Sequence, residues 1–393
     1  MKIAFVTNVI NTHQSFLADE FWRITNGQYT YITVECPTED LKYKMSTTND
    51  EYQKPYLIQA WQSEEERQRG IRSMIDADVV IIGGSIAVIP YEEIRVKTGK
   101  LTFGVGERIM KRGILNIFSK AAREYSALYR RLNKPQNLYY LCASAYTAND
   151  IYLLHPFFRG RCFKWCYFTK VPQLDIDNII LKRRLNKHVK LLWVSCFINL
   201  KMPEIAIKMV KTLKDEGYDI ELNMVGMGIL ENKMKNLIQK LGLRPCVHML
   251  GRLSNDQVYE QMQKHDIFLF TSNKREGWGA VLNEAMSCGC ACVVSELIGA
   301  APFLIHDSIN GLLFKTGSVE DLVIKVKYLI DHPMKREQIC KEAYHTMSLV
   351  WNSRVGAANF YKLSESIISK QPITIGEGPC SLAVPIEGKT FSK

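Results

Sequence analysis

The chain has 393 residues, of which 47% are hydrophobic and 23% charged, and its net charge is +11. Its length exceeds one ordinary domain, and its composition excludes a disordered or fibrous chain, which leaves a globular protein of two domains. Apolar runs such as VVIIGG from Val79 are strand-sized, far short of the roughly 18–20 residues that span a bilayer. Met1-Lys2 leads straight into IAFVT, too early for a signal peptide, so a cytoplasmic protein is expected, or one peripheral at the inner membrane face. Eleven cysteines are an odd number, which together with the missing export signal points to reduced thiols.

In chain order, IAFVT reads as a buried strand followed by a helical stretch from His13 to about Ile24. YITVE, DVVIIGG, LTFGV, LYYLC and FKWCYF follow as short β-rich runs, with polar segments such as SEEERQRGIRSMI between them. That alternation predicts a parallel sheet with helices on both faces. From Arg108 to Lys134 there are eight basic residues against one acid, interleaved with Ile114, Leu115, Ile117 and Phe118. This pattern predicts a basic amphipathic helix, either a membrane-surface element on anionic lipid or a solvated face.

Val171–His188 is polar and carries a proline, so it reads as a linker. The alternation then restarts with KLLWVS, PEIAIKMVKTLKDEG, IELNMVG and GILENKMKNLIQKLG, and the strands CVHML, DIFLFT and ACVVS close the set. The expected organisation is a first Rossmann-like domain over 1–172, a linker over 173–188 and a second such domain over 189–350. A helix over 351–370 packs back on the first domain, and the aperiodic tail, 371–393, is expected to be disordered. Two doubly wound parallel-sheet α/β domains facing a cleft would place ligands at the carboxyl ends of their strands.

The segment with the clearest chemistry runs from Asp266 to Phe314 and contains EGWGAVLNE. A strand ends in a polar loop holding Lys274, Arg275 and Glu276; then come Gly277, Trp278 and Gly279, and a helix carrying Glu284. The glycines allow backbone to approach a ligand closely, and a helix start offers N–H groups to an anion. The two carboxylates of E-x7-E suit different tasks, one accepting from sugar hydroxyls and the other from a ribose diol, each bond contributing on the order of 1.5–3 kcal/mol.

This segment resembles the donor-binding signature of the family-4 (group 1) retaining glycosyltransferases of the GT-B fold, capsule and O-antigen type. The resemblance implies that Glu276 contacts the donor sugar and Glu284 the ribose, with backbone at Gly277 and Trp278 near sugar and phosphates. WVSCFINLKMPE from Trp193 is similar to the family's diphosphate-gripping segment. Lys201 matches the lysine there, but Ser195 and Cys196 stand where glycine and arginine are usual. A thiol does not replace a bidentate guanidinium, so Lys274 or Arg275 is the expected substitute. VGMG, with Gly226, resembles the family's second-strand turn.

In the first half, NVINTHQ resembles the loop beneath the donor sugar and makes His13 a candidate for contact with acceptor or diphosphate. Glu107 and Arg108, with Tyr146 and Asp150, follow strands and are acceptor-side candidates. The resemblance implies hexosyl transfer with retention from a nucleotide-sugar donor, UDP-linked, to a glycan or polyprenyl-diphosphate-linked acceptor in surface polysaccharide assembly. It implies no metal and no cofactor. Asp76-x-Asp78 and Asp175-x-Asp177 are badly placed for a metal-bound diphosphate, and NVINTHQ has no glycine for a dinucleotide. Cys288, Cys290 and Cys292 cannot easily aim three sulfurs at one ion. The competing class is a non-catalytic basic protein on a GT-B-like scaffold that binds membrane or nucleic acid, although nucleic acid is not the expected partner.

Overall fold

Every residue of Ile3–Thr7, Val79–Gly83, Ile267–Phe270 and Ala291–Ser295 is buried. Strands without a solvent face need cover on both sides, which is the parallel α/β arrangement. The computed structural model describes residues 1–38 and 49–387. The chain divides into one unit of Met1–Thr169 with Trp351–Lys393 and another of Lys170–Val350.

The first unit holds β1 (Ile3–Thr7), β2 (Tyr29–Thr33), β3 (Leu57–Gln59), β4 (Val79–Gly83), β5 (Thr102–Gly106), β6 (Leu138–Cys142) and β7 (Cys162–Lys164). They form one sheet in the order β3-β2-β1-β4-β5-β6-β7, parallel throughout. The chain winds outward from β1 to β3 and then returns to β4 on the other flank of β1, so β1 and β4 flank the switch point where ligands collect in such sheets. Among the described residues up to Thr169 its α-helices are α1 (Thr12–Ile24), α2 (Glu64–Asp76), α3 (Ile89–Lys97), α4 (Lys120–Arg131) and α5 (Thr147–Leu154). Asn11 starts α1 by accepting from Gln14 N at 3.0 Å, an N-cap that fixes how the chain leaves β1.

The basic stretch is not one helix. Residues 107–113 are coil and turn, Gly113 has φ +91°, a 3-10 turn follows at Ile114–Phe118, and Ser119 caps the start of α4. The tail is also ordered where it is described. Cys380 N donates to Lys164 O, Lys164 N to Ser381 O and Ala383 N to Cys162 O, at 2.7, 2.8 and 2.8 Å. β7 is the edge of its sheet, and its free backbone groups recruit the tail as an antiparallel neighbour; residues 388–393 lie outside the described residues. The C-terminal helix Ser353–Ile368 sets Phe360 against Phe21 and Phe103, with ring centroids 5.4 and 5.0 Å apart.

The second unit holds β8 (Val189–Val194), β9 (Ile220–Val225), β10 (Val247–Gly251), β11 (Ile267–Phe270), β12 (Ala291–Ser295) and β13 (Leu312–Phe314). The order is β10-β9-β8-β11-β12-β13, again parallel, with the switch point between β8 and β11. β13 is a strand beyond the expected set; only three residues long, it carries too little alternation to stand out. The helices are α6 (Ile176–Arg184), α7 (Pro203–Asp215), α8 (Glu231–Lys240), α9 (Asn255–Lys264), α10 (Val281–Ser287), α11 (Ala301–Leu304), α12 (Val319–Asp331) and α13 (Pro333–His345).

The expected linker is therefore largely helix α6. Its Arg183 is buried and donates to the carbonyls of Met262, Gln263, Cys288 and Gly289 at 2.5–3.0 Å. One guanidinium thus serves carbonyls in the last turn of α9 and just past the end of α10. Arg95 does the same for α2, donating to the carbonyls of Met74, Ile75 and Ala77 at 2.9–3.1 Å.

Candidate functional site

At the switch point of the second sheet, the loops after β8 and β11 meet. Lys201 Nζ lies 2.5 Å from Glu276 Oε2, and both side chains are largely buried, at 16% and 11% exposure. Each partner is held from its backbone. Lys201 O accepts from Thr271 Oγ1 at 2.7 Å, and that hydroxyl accepts from Trp193 Nε1 at 3.0 Å. Glu276 N donates to Asn273 O, and Asn273 N to Leu200 O, at 3.0 and 2.9 Å. Met202, in the left-handed region at φ +47°, turns the chain from Lys201 into α7. An ammonium has three N–H donors, and Glu276 uses one, so the cation keeps donors for an anionic ligand.

The glycines have distinct reasons. A Cβ on Gly226 (φ +132°) would lie 1.9 Å from Ser195 O, so the β9 turn sits directly against the Lys201 loop. A Cβ on Gly279 (φ +94°) would lie 2.5 Å from the Phe270 ring. Gly277 is buried beside them. The Trp278 side chain faces inward, so only its backbone, the part expected near the donor, is left toward a ligand. The indole is fully buried, donates to Asn283 Oδ1 at 2.9 Å and lies 6.3 Å from the Phe303 ring. It pins the loop to the core and leaves only backbone for a ligand.

Glu284 lies in the first turn of α10, which starts at Val281. Its carboxyl is pushed up to about 7 by burial. Lys274 and Arg275 are exposed on the loop before Glu276, and Cys196 is exposed after β8. Cys288, Cys290 and Cys292 are buried thiols; Cys290 Sγ donates to Met262 O at 3.1 Å. Among the described residues, no group of three or more His, Cys, Asp or Glu side chains is placed to hold a metal ion.

The first unit has its own cavity of about 450 Å³ at the carboxyl ends of β1, β4 and β5. His13, Gln14, Glu107, Arg108, Lys111 and Tyr167 are among its polar lining, and Tyr125, Tyr140, Trp165 and Phe168 are among its aromatic lining. The His13 and Tyr167 rings stack at 6.1 Å with 8° between planes. Tyr167 donates to Glu107 Oε1 at 2.6 Å, and Lys111 pairs with the other oxygen of Glu107. Burial pushes the His13 imidazole down to about 4. At neutral pH it is therefore an uncharged ring, suited to a hydroxyl rather than to a diphosphate.

Tyr146 and Asp150 do not line this cavity; they sit beneath it. Arg108 lies over the Tyr146 ring at 5.2 Å and 3.6 Å from Asp150 Oδ1, while Met110 N donates to Asp150 Oδ2 at 2.7 Å. Both are buried residues that position the Arg108 loop. The sequence reading missed Tyr167, Lys111 and Gln14. Gln14 sat beside His13 in the quoted loop, but nothing in sequence links Tyr167 to Glu107, 60 residues away.

The model of the family Glycosyl transferases group 1 matches residues 175–346, nearly the whole second unit. Among similar proteins, the amylovoran biosynthesis glycosyltransferase AmsK of Erwinia amylovora is 30% identical over 37% of this chain and 37% of its own length. A Campylobacter jejuni enzyme, N-acetylgalactosamine-N,N'-diacetylbacillosaminyl-diphospho-undecaprenol 4-alpha-N-acetylgalactosaminyltransferase, is 30% identical over 30% of this chain and 32% of its own. The chain thus spans well under two thirds of the length of these relatives. Among solved structures, the lipopolysaccharide outer core galactosyltransferase WaaB superposes with TM-score 0.68 at 17% identity, covering 94% of this chain and all of that one. Anabaena HepE in complex with UDP gives 0.66 at 15%, with the same coverage. These likenesses establish the fold: two parallel-sheet Rossmann-like units of the GT-B kind.

Proposed function

We propose that this chain is a glycosyltransferase that moves a hexose-type sugar from a nucleotide-diphosphate donor to a hydroxyl of a glycan or lipid-linked glycan. The observation that carries the reading is the Lys201–Glu276 pair, 2.5 Å apart at the switch point of the second sheet, inside the segment that matches the family model. Glu276 holds the sugar hydroxyls, Lys201 shares its ammonium with the donor diphosphate, and Glu284 takes the ribose diol. Lys274 and Arg275 stand in for the guanidinium missing at Cys196. The solved HepE complex with UDP favours a uridine nucleotide as donor.

Transfer forms a bond from the acceptor oxygen to the anomeric carbon as the bond from that carbon to the diphosphate oxygen breaks. The electron pair leaves with the diphosphate, which accepts the acceptor's proton on the same face, so configuration is retained. Metal and cofactor are not required by this route. The protein contributes positioning and charge stabilisation, and losing one such donor typically costs about 10²–10³-fold in turnover. His13 and Glu107, in the cavity of the first unit, contact the acceptor. The name of the Campylobacter relative supports a polyprenyl-diphosphate-linked acceptor, and that of AmsK supports surface polysaccharide assembly of the capsule or O-antigen type. An anionic membrane at the cytoplasmic face fits such an acceptor and the basic segment from Arg108 to Lys134.

A panel of nucleotide sugars tests this directly. One uridine-diphosphate sugar should be hydrolysed or transferred by the wild type, and Lys201→Ala should lower that rate about 10²–10³-fold. Absence of turnover across the panel, with and without lipid-linked acceptors, would overturn the proposal.

A further inference from the structure

The segment that walls the first unit's cavity also carries an apolar tip. Leu115 and Phe118 are 75% and 69% exposed within the 3-10 turn Ile114–Phe118. In a 3-10 helix, residues three apart eclipse one another, so both side chains leave the turn on one face. Two large apolar groups held together in water are costly unless something covers them. Exposed Arg112, Lys120 and Arg123 stand on either side of the tip. Acid is scarce here: Glu124 is the sole carboxylate from Arg108 to Lys134.

Facing the other way, Ile109, Asn116, Ser119 and Ala122 of the same segment line the cavity. Asn116 Nδ2 donates to Ile109 O, which ties the turn back to the cavity wall. The tip therefore cannot shift far without moving the wall. No helix among the described residues is long and apolar enough to cross a membrane, so a membrane contact would have to be made by a surface element of this kind.

We propose that the Leu115–Phe118 turn inserts into an anionic lipid surface and holds the cavity mouth at the bilayer, so that the acceptor is taken while its lipid carrier stays in the membrane. The occupant follows from chemistry: apolar side chains matched to acyl chains, ringed by cations matched to headgroup phosphates. This rests on reading the cavity as the acceptor site, but the tip is testable without turnover.

The experiment is co-sedimentation with vesicles of phosphatidylcholine containing phosphatidylglycerol, and with phosphatidylcholine alone. Wild type should partition onto the anionic vesicles. The pair Leu115→Ser with Phe118→Ser, both on exposed side chains, should lower that partition at least tenfold while leaving stabilisation by uridine diphosphate unchanged. Arg112→Glu with Lys120→Glu and Arg123→Glu should also release the protein. Wild-type partition by the serine variant would reduce the contact to charge alone and overturn insertion, as would failure of wild type to bind anionic vesicles. A change in oligomeric state on the serine substitutions, without vesicle binding, would assign the patch to a second copy of the chain. Loss of the uridine diphosphate response in wild type would count against the donor site instead, a separate readout.

Discussion

Glu276 and Glu284 occupy one loop-helix unit but differ electrostatically. Glu276 has a cation at 2.5 Å, whereas burial alone acts on Glu284 and raises its carboxyl to about 7. A ribose diol donates to a carboxylate, so binding it should favour the ionised form and release a proton. Affinity for uridine, which lacks a titrating phosphate, should therefore fall as pH drops below about 7 and level off above it. Glu284→Gln should bind weakly and without that pH dependence. The same shift has a sign for stability. A carboxyl raised above its unfolded value stabilises fully below that value and loses the contribution as pH rises through about 7, so Glu284→Gln should not lower Tm at pH 8. Calorimetric titration of uridine between pH 5.5 and 8.5 checks the first claim; a flat wild-type profile would remove Glu284 from the ribose role.

Among the elements, α6 shows how burial divides two adjacent arginines. Arg183 satisfies four carbonyls from inside the fold, while Arg184 pairs with Glu337 and is half exposed, at 51%. Arg183→Met should destabilise the protein by about 3 kcal/mol, since it leaves buried carbonyls unpaired. Arg184→Met should cost far less, as the loss of an exposed pair usually does. Urea unfolding of the two variants checks this, and equal losses would refute the capping role. The same pair explains why the segment reads as a linker: a charged run is ordinarily solvated, and nothing local says that one guanidinium turns inward. Likewise the tail from Gln371 has no periodicity of its own, because its order comes from the β7 edge.

For the molecule as a whole, the alternation of strands and helices, and so both parallel sheets, was legible from apolar runs with no polar face. The EGWGAVLNE segment stood out by residue types and spacing, and it falls within the stretch that matches the family model. What stayed hidden depended on contacts distant in sequence, such as Lys201 with Glu276 across 75 residues and Tyr167 with Glu107 across 60. The central claim is that the second unit grips a nucleoside diphosphate through Lys201, and thermal shift measures it most directly. Uridine diphosphate should raise the Tm of wild type more than uridine does, and Lys201→Ala should erase that difference while keeping the uridine response. A Tm that rises only with single-stranded nucleic acid, or a diphosphate advantage that survives in Lys201→Ala, would contradict it.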